Sequence, residues 1–109
     1  MPIINDDNFE ELKMKGFKSS RNKGFHMTFK NGWTVSVQFG WGNYCENYNN
    51  HPKEMRDFGK VAYASDTAEV WSWNREKHYP KEPLGYQTPE EVIKFMNKIS
   101  KRKKVGEKK

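Results

Sequence analysis

The densest run of chemistry-bearing side chains is Gly40-Trp41-Gly42-Asn43-Tyr44-Cys45-Glu46-Asn47-Tyr48-Asn49-Asn50-His51-Pro52. Two glycines around Trp41 would let the backbone N–H groups of residues Gly40 to Asn43 converge on an anion, and Trp41, Tyr44 and Tyr48 offer flat faces on which a nucleobase could stack. The same rings could instead cap the open end of a small core, leaving Asn and Gly to make turns. Sequence alone leaves both readings open. Cys45 and His51 could be imagined as a thiol and its base, but no third group orients them and their six-residue spacing fits no familiar nucleophile motif. A structural cysteine is the preferred reading. His26, His51 and His78 are too dispersed around one cysteine for a zinc pattern, and no phosphate loop or dinucleotide fingerprint is present. The acids Glu46, Glu54, Asp57 and Glu69 read as solvated surface. These features point away from an enzyme and imply no cofactor and no metal.

Three basic residues and two tryptophans lie outside that run but belong to the same hypothesis. Arg21, Lys23 and Lys30 would meet phosphates while Trp41 and Tyr44, joined by Trp71 or Trp73, stack on a base. Two stacked rings and a phosphate contact would suffice for micromolar binding, especially in a homodimer that closes the pocket. Trp and Tyr also dominate interface hot spots, so an aromatic patch that inhibits another protein is the alternative. Nucleic-acid binding through segment 13–30 and the C-terminal tail is the third reading.

The elements that must position these residues begin with residues 24–40. Phe25, Met27 and Phe29 alternate with polar residues, as do Trp33, Val35, Val37 and Phe39, which is the two-residue period of half-buried strands. A two-residue Asn31-Gly32 loop would put the two apolar rows on opposite sides of the ribbon. A loop of Lys30, Asn31 and Gly32 instead pairs Phe29 with Trp33, Met27 with Val35 and Phe25 with Val37, with Gly32 left-handed. Residues 18–23 read as a polar connection, 5–14 as a weak helix, 53–59 as a helical turn, and 60–64 and 77–79 as short strands. Residues 68–74 form a strand with Ala68, Val70 and Ser72 on one side and Glu69, Trp71 and Trp73 on the other. Because large apolar side chains are usually buried, Trp71 and Trp73 are expected in the core and the small row in solvent. With a helix on the small row they would instead form a stacking platform.

Pro80, Pro83 and Gly85 are expected to break regular structure before the last element. Thr88-Pro89-Glu90-Glu91 then signals a helix start, with Thr88 as N-cap, proline at the first helical position and Glu91 placed to complete a capping box. Val92, Phe95, Met96 and Ile99 form its apolar stripe. The expected fold class is α+β: an antiparallel sheet of three to five strands around the 24–40 hairpin, with an amphipathic helix over 89–102 on one face.

Composition limits the partners. With 109 residues the chain is expected to be one domain, 1–100, followed by a basic, disordered tail, 101–109. Only 34% of residues are hydrophobic, but four Trp, five Tyr and seven Phe supply a core of bulky rings. No run is long enough for a transmembrane span, the N-terminus lacks the regions of a secretory signal, and the single cysteine favours a reducing cytoplasm. The net charge of +6 is unevenly spread: residues 1–12 carry four acids and no base, residues 13–30 six bases and no acid, residues 31–100 eight bases against nine acids, and residues 101–109 six bases against one acid. The region 31–100 is close to neutral, which counts against a nucleic-acid surface there.

Three stretches carry a resemblance over residues 24–100: Asn-Gly-Trp-Thr-Val-Ser-Val-Gln-Phe-Gly followed by Gly-Asn-Tyr-Cys, then Thr-Ala-Glu-Val-Trp-Ser-Trp, then Leu-Gly-Tyr-Gln-Thr-Pro-Glu-Glu-Val. The pattern resembles a group of small, functionally uncharacterised bacteriophage and prophage proteins. What the resemblance implies is a setting, the cytoplasm of an infected bacterium, where a small accessory protein counteracts a host defence component by binding a protein, a nucleic acid or a nucleotide-type ligand.

Overall fold

The computed structural model describes residues 16–20, 22–57, 60–74, 76 and 81–106. Five antiparallel strands follow one another across a single sheet in the order of the chain: β1 (Phe17–Ser19), β2 (Gly24–Thr28), β3 (Trp33–Gln38), β4 (Ala68–Asn74) and β5 (Leu84–Gln87). Among the described residues one α-helix, α1 (Pro89–Ser100), packs on β3, β4 and β5. The fold is α+β, with the helix covering one face. The helix expected over 5–14 and the strand expected over 77–79 lie outside the described residues, as does Arg21.

The β2–β3 hairpin adopts the register that its apolar rows require. Phe25 faces Val37 and Met27 faces Val35, the Phe29 N–H donates to the Trp33 carbonyl at 2.8 Å, and Gly32 is left-handed with φ 88°. One face of the sheet therefore gathers the core in two adjoining clusters. Trp33, Val35, Ile99 and Val105 are buried with Met27 and Phe29 around them, and Val37, Ala68, Val70 and Val92 are buried with Phe25 and Phe39. Phe95 and Met96 of α1 bridge the two.

The orientation of β4 corrects the expectation for its tryptophans. Ala68, Val70 and Ser72 face the helix and are buried, whereas Trp71 and Trp73 lie on the opposite face, each half-buried. The reason is volume: α1 presents Val92, Phe95, Met96 and Ile99, and only small side chains opposite them leave room for close packing.

Three further expectations give way. Residues 18 and 19, the start of the supposed polar connection, belong with Phe17 to edge strand β1, because Phe17, Lys18 and Ser19 pair with Met27, His26 and Phe25. The strand expected over 60–64 is irregular and joins none of the described strands. The Pro- and Gly-marked segment before the helix contains β5, which joins β4 through Ala68–Gln87 and Val70–Leu84 with a register shift between them. The expected turn near residue 55 is present as a 3-10 turn, Met55–Asp57.

Both ends of α1 are fixed by side chains. At its start the Glu91 N–H donates to Thr88 Oγ1 at 3.2 Å and the Thr88 N–H donates to Glu91 Oε1 at 2.9 Å, the capping box that the sequence signals. These bonds lower the pKa of Glu91. At its end the hairpin loop reaches over: Asn31 Nδ2 donates to the carbonyls of Ile99 (2.9 Å), Ser100 (3.3 Å) and Arg102 (3.0 Å), while Asn31 Oδ1 accepts from the Trp33 N–H. Helix C-termini leave carbonyls without intrahelical donors, and Asn31 supplies one, so the helix stops at Ser100 rather than 102. Past it the chain does not leave the domain at once. The Val105 N–H donates to the Asn31 carbonyl at 2.8 Å, and the Val105 side chain, 8% exposed, completes the cluster around Trp33. Removing the amide in Asn31→Ala is expected to cost about 2 kcal/mol, roughly 10 °C in Tm, by thermal denaturation followed by circular dichroism. Asn31→Asp is expected to cost at least as much, since a carboxylate would face carbonyls at the negative end of the helix.

Candidate functional site

Beyond β3 the chain closes into a compact loop over 39–50, held by its own amides. Gly40 N–H donates to Asn43 Oδ1 (3.0 Å), Asn43 N–H to the Gly40 carbonyl (3.2 Å), Gly42 N–H to the Tyr48 carbonyl (3.0 Å) and Tyr48 N–H to the Cys45 carbonyl (3.1 Å). Buried Asn47 ties the loop to its surroundings through Nδ2, which donates to the carbonyls of Phe39 (2.8 Å) and Ala64 (3.0 Å). Cys45 is 1% exposed, and its thiol donates to the Gly40 carbonyl at 3.7 Å.

This bonding uses three of the four amides expected to meet an anion. The amides of Gly40, Gly42 and Asn43 are engaged within the loop, and the anion that the loop does hold is Glu69 of β4. The carboxylate accepts from Asn43 Nδ2 and from the Tyr44 N–H, both at 3.3 Å. Glu69 reaches the loop because it pairs with Gln38 at the end of β3 from which the loop departs.

The expected stacking rings separate into three places. Trp41 is covered by its neighbours: Lys23 Nζ lies 5.0 Å from the ring centroid and the His51 ring meets it edge-on at 4.5 Å. Lys23 and Trp41 are thus brought together, but the cation occupies the ring instead of waiting for a phosphate. Lys30 lies at the other end of the hairpin, about 20 Å away at some 3.4 Å per strand residue. Trp71 and Trp73 lie on the sheet face opposite α1, with ring planes 63° apart and centroids 5.8 Å apart, and His26 meets Trp73 at 5.1 Å and 88°. Edge-to-face rings of this kind pack one another and present no flat double platform. The Trp71 indole N–H donates to the Lys81 carbonyl at 2.6 Å.

Burial, with the Lys18 ammonium adding to it, holds the His26 imidazole below its ordinary value of 6.5. Between that lowered value and 6.5 the unfolded chain binds the proton and the folded chain does not. The stability at stake is fully present above 6.5 and is lost as the pH falls from 6.5 through the folded value. In chemical denaturation series, His26→Gln is expected to decline less steeply than the parent protein on the acid side of 6.5.

Tyr44 and Tyr48 are the exposed members of the loop, 50% and 44% exposed, and their rings lie parallel, 3° apart, at 5.7 Å. The sequence reading includes both; a third tyrosine enters that it does not. The Tyr86 N–H donates to the Tyr44 carbonyl at 2.8 Å, which places the loop beside β5, and Tyr86 is 57% exposed. Gly85 permits this approach, since a Cβ there would stand 2.6 Å from Tyr44 Cβ. The signal in the sequence was the pair Gly85-Tyr86, hidden by the prolines around it.

Among the described residues no group of three or more His, Cys, Asp or Glu is placed to hold a metal ion, and no helix is long and apolar enough to cross a membrane. Comparison with protein-family models, curated proteins and solved structures finds no match to this chain.

Proposed function

We propose that this chain is a non-enzymatic binding protein whose working surface is the tyrosine patch of Tyr44, Tyr48 and Tyr86, and that its partner is a protein. The observation that carries this reading is the pairing of high exposure with rigidity. Two large rings, Tyr44 and Tyr48, are about half exposed on a loop whose amides are closed by Gly40, Asn43, Cys45, Tyr48 and Glu69, and a third, Tyr86, is exposed on the strand bonded to that loop. Tyrosine offers large contact area with few rotors, and a preformed loop reduces the ordering cost of association. In the phage setting that the sequence resemblance implies, the partner is a host protein, and binding counteracts a defence component.

A nucleotide-type ligand on the same loop is less well supported. A phosphate there would meet the Glu69 carboxylate, and Trp41 already carries Lys23 and His51. The test is affinity capture from bacterial host lysate with the parent protein beside Tyr44→Ala/Tyr48→Ala, together with native mass spectrometry of the purified chain. The proposal expects one discrete protein retained by the parent, lost by the variant and insensitive to moderate salt. A retained nucleotide mass, or capture that the variant does not change, would overturn it.

A further inference from the structure

Where α1 begins, the helix and sheet leave an apolar cavity of about 290 Å³. Phe25, Val37, Phe39, Ala68, Val92 and Ile93 form its walls. The cavity is open to solvent on one side, so it seats one face of a one- or two-ring body or of a branched chain of similar bulk. Its polar wall is the turn Ser65-Asp66-Thr67, whose groups are largely bonded elsewhere. Ser65 Oγ–H donates to the Thr67 carbonyl (2.6 Å) and accepts from the Thr67 N–H (3.2 Å), and Thr67 Oγ1 accepts from the Glu46 N–H (3.2 Å). The Gln87 side-chain amide donates to the Gly85 carbonyl at 3.0 Å.

What remains at the rim is negative charge. The described lining contains one formally charged side chain, Asp66, and no Lys or Arg, in a chain whose net charge is +6. A second carboxylate is held beside it, since the Asp66 N–H donates to Glu46 Oε2 at 2.9 Å. We propose that this cavity binds a small organic cation with an apolar body, an arylamine or alkylamine whose ring or chain fills the cavity and whose ammonium meets Asp66. The site is separate from the tyrosine patch, none of whose rings lines it.

Three probes with one ring and three charges test the assignment: tryptamine, indole and indole-3-acetate, titrated into isotope-labelled protein and followed by NMR shifts of Phe25, Val37, Ala68 and Val92. Tryptamine is expected to bind about tenfold more tightly than indole-3-acetate, with indole between them. Asp66→Asn is expected to bring tryptamine and indole level. Ile93→Lys, which puts a cation at the mouth from a position 58% exposed, is expected to weaken tryptamine most. Both changes are at exposed side chains, so unchanged Tm and spectra away from the cavity verify the fold. Tyr44→Ala/Tyr48→Ala is expected to bind tryptamine like the parent protein. Equal affinity for the three probes, preference for the anion, or no shifts at the cavity residues overturns the assignment.

Discussion

Gly24→Ala is expected to destabilise the protein by about 4 kcal/mol, which is roughly 20 °C in Tm for a domain of this size. Gly24 opens β2 with φ 156°, paired to Gln38, and a Cβ built on it would stand 1.9 Å from the Val37 carbonyl oxygen. Flexible side chains can yield to such a contact; backbone in the middle of a sheet cannot. Relief would require β2 and β3 to separate at the end from which the 39–50 loop departs. Lys23 would move with it, disturbing the bond from the Phe39 N–H to its carbonyl at 2.7 Å and its place over Trp41. Urea denaturation measures the loss directly. A decrease below about 1 kcal/mol would show that this end of the hairpin is looser than the register requires.

The second large effect is on binding rather than stability. Tyr44→Ala/Tyr48→Ala is expected to weaken the partner complex at least about 100-fold, each ring acting as a hot spot of roughly 2 kcal/mol, while Tm changes by only a few degrees. Both rings are exposed, and the bonds that close the loop run through backbone atoms and through Asn43, Asn47 and Glu69, which the substitutions leave in place. The two single changes are expected to be non-additive. Removing one ring exposes a face of the other, whose parallel stacking at 5.7 Å fixes its direction. Isothermal titration against the captured partner measures all three variants.

The central hairpin and the helix were legible because each is specified locally. Alternation over Phe25–Phe29 and Trp33–Phe39 admits one register once the rows must share a face, and Thr88-Pro89-Glu90-Glu91 holds both halves of a capping box. The short strands were hidden because their signal lies in their neighbours. Lys18 and Ser19 become strand by pairing with β2, and Leu84–Gln87 by pairing with β4 across a register shift. Trp71 and Trp73 misled through size, since residue hydrophobicity favours burial but the bulk of the α1 stripe decides which face of β4 it can cover.

The site was legible in the same uneven way. Tyr44 and Tyr48 stand out in the sequence, and so does Trp41, yet nothing local reveals that Lys23 and His51 cover Trp41. Glu69 looked like surface because its acceptor role depends on β4 lying beside β3. Tyr86 joins only because Gly85 lets the loop approach β5. Asn31 is the clearest case of a residue read for one purpose that serves another. As a loop residue it shapes the hairpin turn, and through its side chain it also ends a helix 68 residues away.

The measurement that bears most directly on the account is site-specific photocrosslinking in host lysate, with a benzophenone side chain at position 48 and, as control, at position 98 on the exposed surface of α1. One discrete protein adduct is expected from position 48 and none from position 98. An adduct from position 98 with none from position 48 would contradict it and move the interface from the tyrosine patch to the helix.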